Sequence, residues 1–268
     1  PVKPLKLSLR MVLLIGVIGI QVLTVCGVLL SSYITTQDAL LNHARQLMLD
    51  ASSQVIERSE QFLEPARITA DFTRRLANTS VLDVNDLTAM ERFFLEQLRL
   101  YPWFSGAYFG GHDGSFVFVK RESGTSEDEA GFLTKLIYFR AGVRHVEFIS
   151  RSLDLQLKSS RQDATDDFDP RDRPWYRLAI ARHELVWTEP YIFFTSRQPG
   201  ISATVPAYDS GRNEYRGAIG VDIEIGQLSS FLRGLKIGHE GSAFILSRNG
   251  DVIAHPKPEQ IEPLTRDP

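Results

Sequence analysis

The stretch FDPRDRPWY, residues 168–176, concentrates the residue types that bind a small charged ligand. Pro174 suits the first turn of a helix, where its missing N–H has no partner to lose, and Asp172 is expected to cap free backbone donors there. Arg173 and the indole N–H of Trp175 then lie beside a helix N-terminus, which favours negative charge. The spacing therefore predicts an anion site that holds the carboxylate of a small ligand.

A second charged position lies in the apolar segment AIGVDIEI, residues 218–225. In a strand its branched aliphatic residues share one face and Asp222 lies on the other. An acid on a half-buried face requires a cationic partner, which can be a ligand ammonium or Arg173 itself. An arginine and an aspartate at opposite ends of one pocket would bind a zwitterion such as an α-amino acid. The alternative is a structural ion pair of Arg173 with Asp169, Asp172 or Asp222.

Other chemistry has weaker support in the sequence. Arg197, in the segment TSRQPG, is either a second positive charge at a pocket rim or a solvated loop residue. The acidic run between residues 163 and 172 lacks the glycine and closing glutamate of a calcium loop, and the six histidines show no metal spacing. We therefore predict no metal, no cofactor and no catalytic residue in this segment. An enzyme that uses Asp222 and Glu224 as acid and base is the competing hypothesis.

Composition is that of an ordinary globular chain with a membrane segment. The 268 residues are 43% hydrophobic and 24% charged, and the net charge of −3 gives no case for nucleic acid as a partner. Residues 11–32 are predicted to form a transmembrane helix, because twenty uncharged residues from Met11 span about 30 Å. The basic residues in segment 1–10 place the N-terminus in the cytoplasm. A cleaved signal peptide is the alternative, although no A-x-A site follows.

The remaining pattern predicts an α+β fold. Residues 33–78 have the spacing of a long helix, whose apolar stripe packs either on its own domain or on a second subunit. That stripe comprises Leu41, Ala44, Met48, Ala51, Val55 and Phe62. A second helix is expected to start at Asn85 or Asp86, and short strands are expected at 106–111, 115–121, 133–140, 145–150, 153–158, 186–194, 201–209 and 215–225. A short helix follows at 227–235.

A partial internal repeat suggests a second, similar module. Residues 106–114 and 242–250 both read as a strand followed by a glycine turn. The second copy, 236–268, is too short to close a core. We therefore expect the chain to be a fragment of a longer protein with a second membrane span and a cytoplasmic part.

These features together resemble the double-Cache family of extracytoplasmic sensor domains, which carry tandem PAS-like antiparallel sheets. The resemblance covers residues 33–268 and is most specific in DPRDRPWY and GVDIEI. It implies that residues 79–235 form the membrane-distal, ligand-binding module and that 236–268 begin the proximal one. A looser resemblance of VWTEPYIFFTSRQPGISA to sensors of class III adenylate or guanylate cyclases suggests a cyclase output.

A subset of that family carries an amino-acid-binding pattern, and the resemblance transfers it to six positions. The implied ligand-binding residues are Phe168, Arg173, Trp175, Tyr176, Tyr191 and Asp222. Phe168 departs from the usual tyrosine and so lacks one hydroxyl. Tyr176 and Tyr191 are expected to orient the ligand ammonium by their hydroxyls or by cation–π contact.

The resulting hypothesis is the sensory segment of a receptor in the bacterial inner membrane, with residues 33–268 outside the cytoplasm. We expect it to bind an amino acid or related carboxylate, to form a homodimer, and to signal through its long helix to a missing output. That output is a nucleotide cyclase, or alternatively a diguanylate cyclase, a histidine kinase or a chemoreceptor. A dimerisation or interaction module without a small ligand is the other alternative.

Overall fold

The computed structural model describes residues 9–122, 130–209, 214–235, 237, 241–247, 250 and 252–257. The chain divides into two compact units, Pro1–Glu57 and Arg58–Pro268. The first unit contains most of α1 (Leu9–Asn78). This helix is long and apolar enough to cross a membrane by length and composition, a test that a signal sequence also passes. Leu41 and Met48 of the expected stripe are exposed within the first unit, so their role as a dimer seam stays a prediction.

The second unit has the predicted α+β fold. Its other helices are α2 (Leu87–Leu100), α3 (Pro174–Arg182) and α4 (Ile225–Gly234). The strands are β1 (Gly106–Gly111), β2 (Phe116–Glu122), β3 (Gly131–Arg140), β4 (Val143–Arg151), β5 (Leu157–Gln162), β6 (Val186–Trp187), β7 (Tyr191–Ile192), β8 (Pro199–Tyr208), β9 (Tyr215–Glu224), β10 (Ile245–Leu246) and β11 (Val252–Ala254).

One antiparallel sheet organises this unit, with the strand order β5-β4-β3-β2-β1-β9-β8-β6, and β7 also pairs with β8. Because successive side chains of a strand point to opposite faces, β1 sends Ala107 and Phe109 to one face and Tyr108 to the other. The first face carries the larger core, which also includes residues of α1, α2 and α4. The second face is packed by α3 and the segment before it, and its core is mostly aromatic.

The C-terminal part of α1 is fixed to the sheet domain by packing and by hydrogen bonds. Phe62 stacks on Phe231 at 4.5 Å between ring centroids, and its backbone oxygen accepts a 3.1 Å bond from the Trp103 indole. The buried Thr73 accepts a 2.7 Å bond from Gln97 of α2. Phe62 therefore belongs to the domain core, as the first of the two alternatives for the apolar stripe requires.

Several predicted boundaries are wrong for identifiable reasons. Residues 153–156 form a turn, closed by a 2.9 Å bond from the N–H of Ser152 to the backbone oxygen of Gln156, so β5 begins only at Leu157. The segment 186–194 contains two short strands, interrupted where Pro190 lacks a donor. Asp172 does not cap α3: Arg173 is the N-cap residue without a side-chain cap bond, and Asp172 instead accepts a bond from Arg177.

The predicted repeat has a structural counterpart in its turns. Gly114 and Gly250 both have φ near +90°, a conformation that favours glycine. Each turn is followed by a strand, β2 in the first case and β11 in the second. The remaining residues of 236–268 lie largely outside the described part, so the tandem arrangement and the domain boundaries stay predictions.

Gly220 of β9 is required by the ring of Tyr108, which lies opposite it in the register of β1 and β9. A Cβ at Gly220 would lie 2.2 Å from Cε2 of that ring. We predict that Gly220→Ala lowers the free energy of unfolding by about 1–3 kcal/mol through overpacking. The measurement is thermal or urea denaturation of the full chain in detergent.

Gly226→Ala is the matched control, because a Cβ there has no neighbour within 4 Å and the residue lies in α4. This substitution should be neutral or stabilising by up to about 1 kcal/mol. Equal effects of the two substitutions would contradict the packing argument.

Candidate ligand-binding site

A small cavity lies on the aromatic face of the sheet. It has a volume of about 30 Å³, room for one or two water molecules. Eight of its eleven lining residues are aromatic, and the others include one cation and one acid. The lining residues are Tyr108, Phe116, Phe118, Phe168, Arg173, Trp175, Tyr191, Phe193, Phe194, Thr195 and Asp222. The structure thus brings five of the six predicted site residues to one hollow, and only Tyr176 is missing from it.

Arg173 reaches the cavity from the start of α3, where Pro174 occupies the first helical position as predicted. Its guanidinium carbon lies 6.0 Å from the Phe168 ring centroid and 5.5 Å from that of Phe194. Within the described residues it makes no ion pair. The expected structural pairs of Arg173 with Asp169 or Asp172 are absent, because those two acids bind Arg171 and Arg177. The guanidinium fork is therefore free for a carboxylate.

Asp222 is held by hydroxyl groups, and no cation of the described residues pairs with it. Its Oδ1 accepts a 2.7 Å hydrogen bond from the Tyr108 hydroxyl and a 2.5 Å bond from Ser202 Oγ. Because Ser202 gives its hydrogen to the carboxylate, its bond of 2.8 Å with the Tyr191 hydroxyl is donated by Tyr191. The hydroxyl hydrogens of Tyr108, Ser202 and Tyr191 are thus all directed along the hydrogen-bond network towards Asp222. Each tyrosine oxygen keeps acceptor capacity beside the hydrogen bond that it donates.

Burial sets the protonation of this network. Asp222 is 5% exposed, and desolvation raises its pKa to about 7, although bonds from Ser202 and Tyr108 lower it and Glu224 adds a small increase. Burial also raises the pKa of Tyr108 and of Tyr191 well above the usual range, so both phenols stay protonated donors. The only described cation that lines the cavity with Asp222 is Arg173. A ligand ammonium would supply the missing positive charge.

A buried ion pair lies behind the cavity wall. The ammonium of Lys135, which is 1% exposed, bonds both oxygens of Asp166 at 2.8 and 2.7 Å. It also lies 4.3 Å from the centroid of the Phe168 ring. Asp166 in turn accepts the backbone N–H of Phe168, while Arg144 donates 2.6 and 2.7 Å bonds to the backbone oxygens of Asp166 and Phe168. This network fixes Phe168 as a wall of the cavity.

Tyr176 differs from the prediction. It is buried behind Trp175, with an edge-on ring contact of 5.5 Å, and its hydroxyl lies 3.5 Å from the backbone oxygen of Gly111. It does not line the cavity. Its position does not support the predicted role in orienting the ammonium; it packs against Trp175 and helps to hold that indole in place.

Tyr108 and Ser202 bind Asp222 in the candidate site, and the sequence analysis did not predict them there. Ser202 lies directly opposite Asp222 in the register of β8 and β9, and cross-strand partners have adjacent side chains. The Tyr108 ring crosses the space above Gly220 and so reaches Asp222 two residues along. The space beside Gly220 is thus filled by the Tyr108 ring. The glycine next to a buried acid was the available signal, but strand pairing was needed to use it.

Residues 125–230 match the family model of the methyl-accepting chemotaxis protein-like, first PDC sensor domain. McpC of Bacillus subtilis is 31% identical over 97 residues, which cover 36% of this chain and 14% of McpC. PctB of Pseudomonas aeruginosa is 30% identical over 99 residues, 37% of this chain and 15% of PctB. Both are methyl-accepting chemotaxis proteins, and the aligned stretch spans about a seventh of their length.

Solved ligand-binding domains of chemoreceptors have the same fold. The domain of Pseudomonas fluorescens CtaA, solved in complex with L-alanine, matches with a TM-score of 0.51 and 21% sequence identity. The match covers 80% of this chain and 73% of the CtaA chain. The domain of Campylobacter jejuni Tlp3, in complex with 4-methylisoleucine, has a TM-score of 0.51 and 16% identity, with coverages of 83% and 71%.

The matched part of the chain is thus similar to the PDC sensor domains of chemoreceptor-like proteins, and it shares their Cache-like fold. This confirms the predicted α+β fold. These matches favour the chemoreceptor alternative, and they lend no support to the association with nucleotide cyclases.

The raised pKa of Asp222 predicts a pH-dependent stability. The folded state keeps this proton up to about pH 7, whereas an unfolded aspartic acid loses it near pH 4. The free energy of unfolding should therefore fall as the pH rises from about 4 to about 7, by on the order of 1.4 kcal/mol per pKa unit. Asp222→Asn should remove this component, which is measured as the melting temperature of the full chain against pH.

Asp154→Asn is the control, since Asp154 is an exposed acid outside the cavity. Its pH profile should overlay that of the unsubstituted chain. A profile of the Asp222→Asn variant that also overlays it would show that Asp222 ionises at an ordinary pH.

Proposed function

We propose that this chain is the sensory part of a transmembrane chemoreceptor and that its cavity binds an α-amino acid. The observation that carries the proposal is a pair of groups in one hollow, a guanidinium without an anionic partner and a buried acid without a cationic one among the residues that the structure describes. Arg173 would bind the ligand carboxylate through its fork. Asp222 would bind the ammonium. CtaA and Tlp3, with the same fold, are bound to amino acids in their solved complexes.

The hydroxyl network supports a primary ammonium in particular. A primary ammonium has three N–H donors, and each needs an acceptor when it leaves water. The free carboxylate oxygen of Asp222 and the two tyrosine oxygens of Tyr108 and Tyr191 supply three. The hydrogens of the network are already directed at Asp222, so no donor opposes the ligand. The surrounding rings add cation–π attraction.

Ligand entry requires the cavity to enlarge, because about 30 Å³ is too small for an amino acid. The wall formed by Phe193, Phe194 and Thr195 belongs to the turn between β7 and β8, residues 193–198. That turn is closed by two backbone bonds of 2.9 Å, from the N–H of Phe193 to Gln198 O and from the N–H of Arg197 to Phe193 O. We propose that this turn moves outward to admit the ligand.

The wider receptor organisation follows from the same proposal. Residues 11–32 anchor the chain in the inner membrane, 33–78 form an extracytoplasmic helix, 79–235 are the distal ligand-binding module and 236–268 begin a proximal one. The exposed apolar residues Leu41 and Met48 would contact a second copy in a homodimer. α1 contains both the apolar span and Phe62 of the domain core, so it would carry the signal to the output. A chemoreceptor signalling domain is the output that the relatives favour over a cyclase.

Titration of the full chain with the twenty proteinogenic L-amino acids tests the proposal. At least one amino acid should bind. Arg173→Ala should lower its affinity by about 30-fold or more, because removing one partner of a buried charge pair costs on the order of 2–5 kcal/mol. Asp222→Asn should lower the affinity for the same amino acid at least tenfold. The affinity for the corresponding carboxylate without the amino group, such as propionate for L-alanine, should not change. Isothermal titration calorimetry gives both comparisons.

Arg182→Ala is the control variant, because Arg182 is exposed at the end of α3 and does not line the cavity. Its affinities should equal those of the unsubstituted chain. Binding that survives Arg173→Ala would refute the anion site, and equal losses of amino acid and propionate in Asp222→Asn would refute the ammonium site. No binding by any of the twenty would favour the interaction-module alternative.

A further inference from the structure

Three cations surround the ring of Phe194, a wall of the cavity. The distances from its centroid are 5.3 Å to Lys135 Nζ, 5.5 Å to the guanidinium carbon of Arg173 and 4.9 Å to that of Arg197. Lys135 is neutralised by its two bonds to Asp166. The structure gives neither arginine an anionic partner among the described residues. Two guanidinium groups therefore lie on one cavity ring with no carboxylate between them.

The backbone of Arg197 has a strained conformation. Its φ is +57°, the left-handed region that side chains other than glycine rarely adopt. Such a conformation is strained for a residue with a side chain, and strain of this kind persists at functional sites. The conformation closes the turn after Thr195, which lines the cavity, and leaves the Arg197 side chain on the Phe194 ring. A glycine would close the same turn without strain but would offer no charge.

We propose that Arg197 is a specificity residue and that the cavity prefers amino acids with a second carboxylate, that is, acidic amino acids. The inference rests on the proposed function. One carboxylate of a zwitterion satisfies Arg173, and a neutral side chain leaves Arg197 unmatched. A side-chain carboxylate that extends along Phe194 towards the turn satisfies it. Because Arg197 is exposed and its charge is screened, the preference arises from a moderate interaction.

Calorimetric titration of the full chain with L-glutamate, L-glutamine, L-aspartate and L-asparagine tests this inference, because each acid differs from its amide in charge and hardly in shape. The acids should bind about ten times more tightly than the amides. Arg197→Gln should lower the affinity for the acids roughly three- to tenfold and change the affinity for the amides by no more than about twofold. Arg182→Gln removes an equally exposed charge away from the cavity and should change none of the four.

Arg197→Gly separates specificity from folding. It should raise the melting temperature, because glycine adopts the left-handed conformation without strain, and it should abolish the preference for acids all the same. A purely structural arginine would not give this combination. The inference is overturned if the amides bind as tightly as the acids, or if Arg197→Gln lowers the affinities for both equally. The proposed function stands in either case. If none of the twenty amino acids binds, the inference and the proposed function fail together.

Discussion

The hydrogen bonds to the Asp222 carboxyl are the interaction on which the site depends. A carboxylate that is 5% exposed is costly unless donors or a cation compensate for the lost water. The domain supplies two hydroxyl donors on one oxygen and no cation from its own described residues. That compensation is incomplete, as the raised pKa of the group shows. An incompletely compensated acid is stable enough to fold yet gains most from a partner that arrives from outside.

The sheet and the first turn of α3 contribute in different ways to this arrangement. β8 and β9 bring Ser202 opposite Asp222 by strand register alone, and β1 adds Tyr108 because Gly220 leaves space for its ring. These contacts lie on regular, paired strands. Arg173 instead lies at a helix start whose position depends on the packed Trp175 and Phe168 rings and on the Lys135–Asp166 pair behind them. The acid end is therefore fixed by backbone pairing and the cation end by aromatic packing.

The sequence was informative where local rules decide the outcome. Pro174 identified the start of α3, Asp86 the start of α2, and the alternation in AIGVDIEI the strand that carries Asp222. Arg173 and Trp175 followed from the pattern around that helix start, Phe168 and Tyr191 followed from the family resemblance, and all four line the cavity with Asp222.

The missed features are long-range. Tyr108 precedes Asp222 by 114 positions, and only the register between β1 and β9 makes them neighbours. The place of Tyr176 behind Trp175 depends on which side of α3 faces the sheet, and the short apolar helix pattern leaves that side undetermined. The buried pair of Lys135 with Asp166 likewise joins residues that no local pattern connects.

The closed turn over the cavity has a kinetic meaning for the proposed receptor. Because the cavity has space for only a water or two, a ligand of the proposed receptor would wait outside until residues 193–198 open. At high ligand concentration the opening rate of the turn, and not diffusion, would then set how fast sites fill. The closed form also lowers the apparent affinity by the fraction of time the turn is open. A swimming cell compares ligand concentrations at successive times. The shortest interval that it resolves would then depend on how fast the six-residue turn opens.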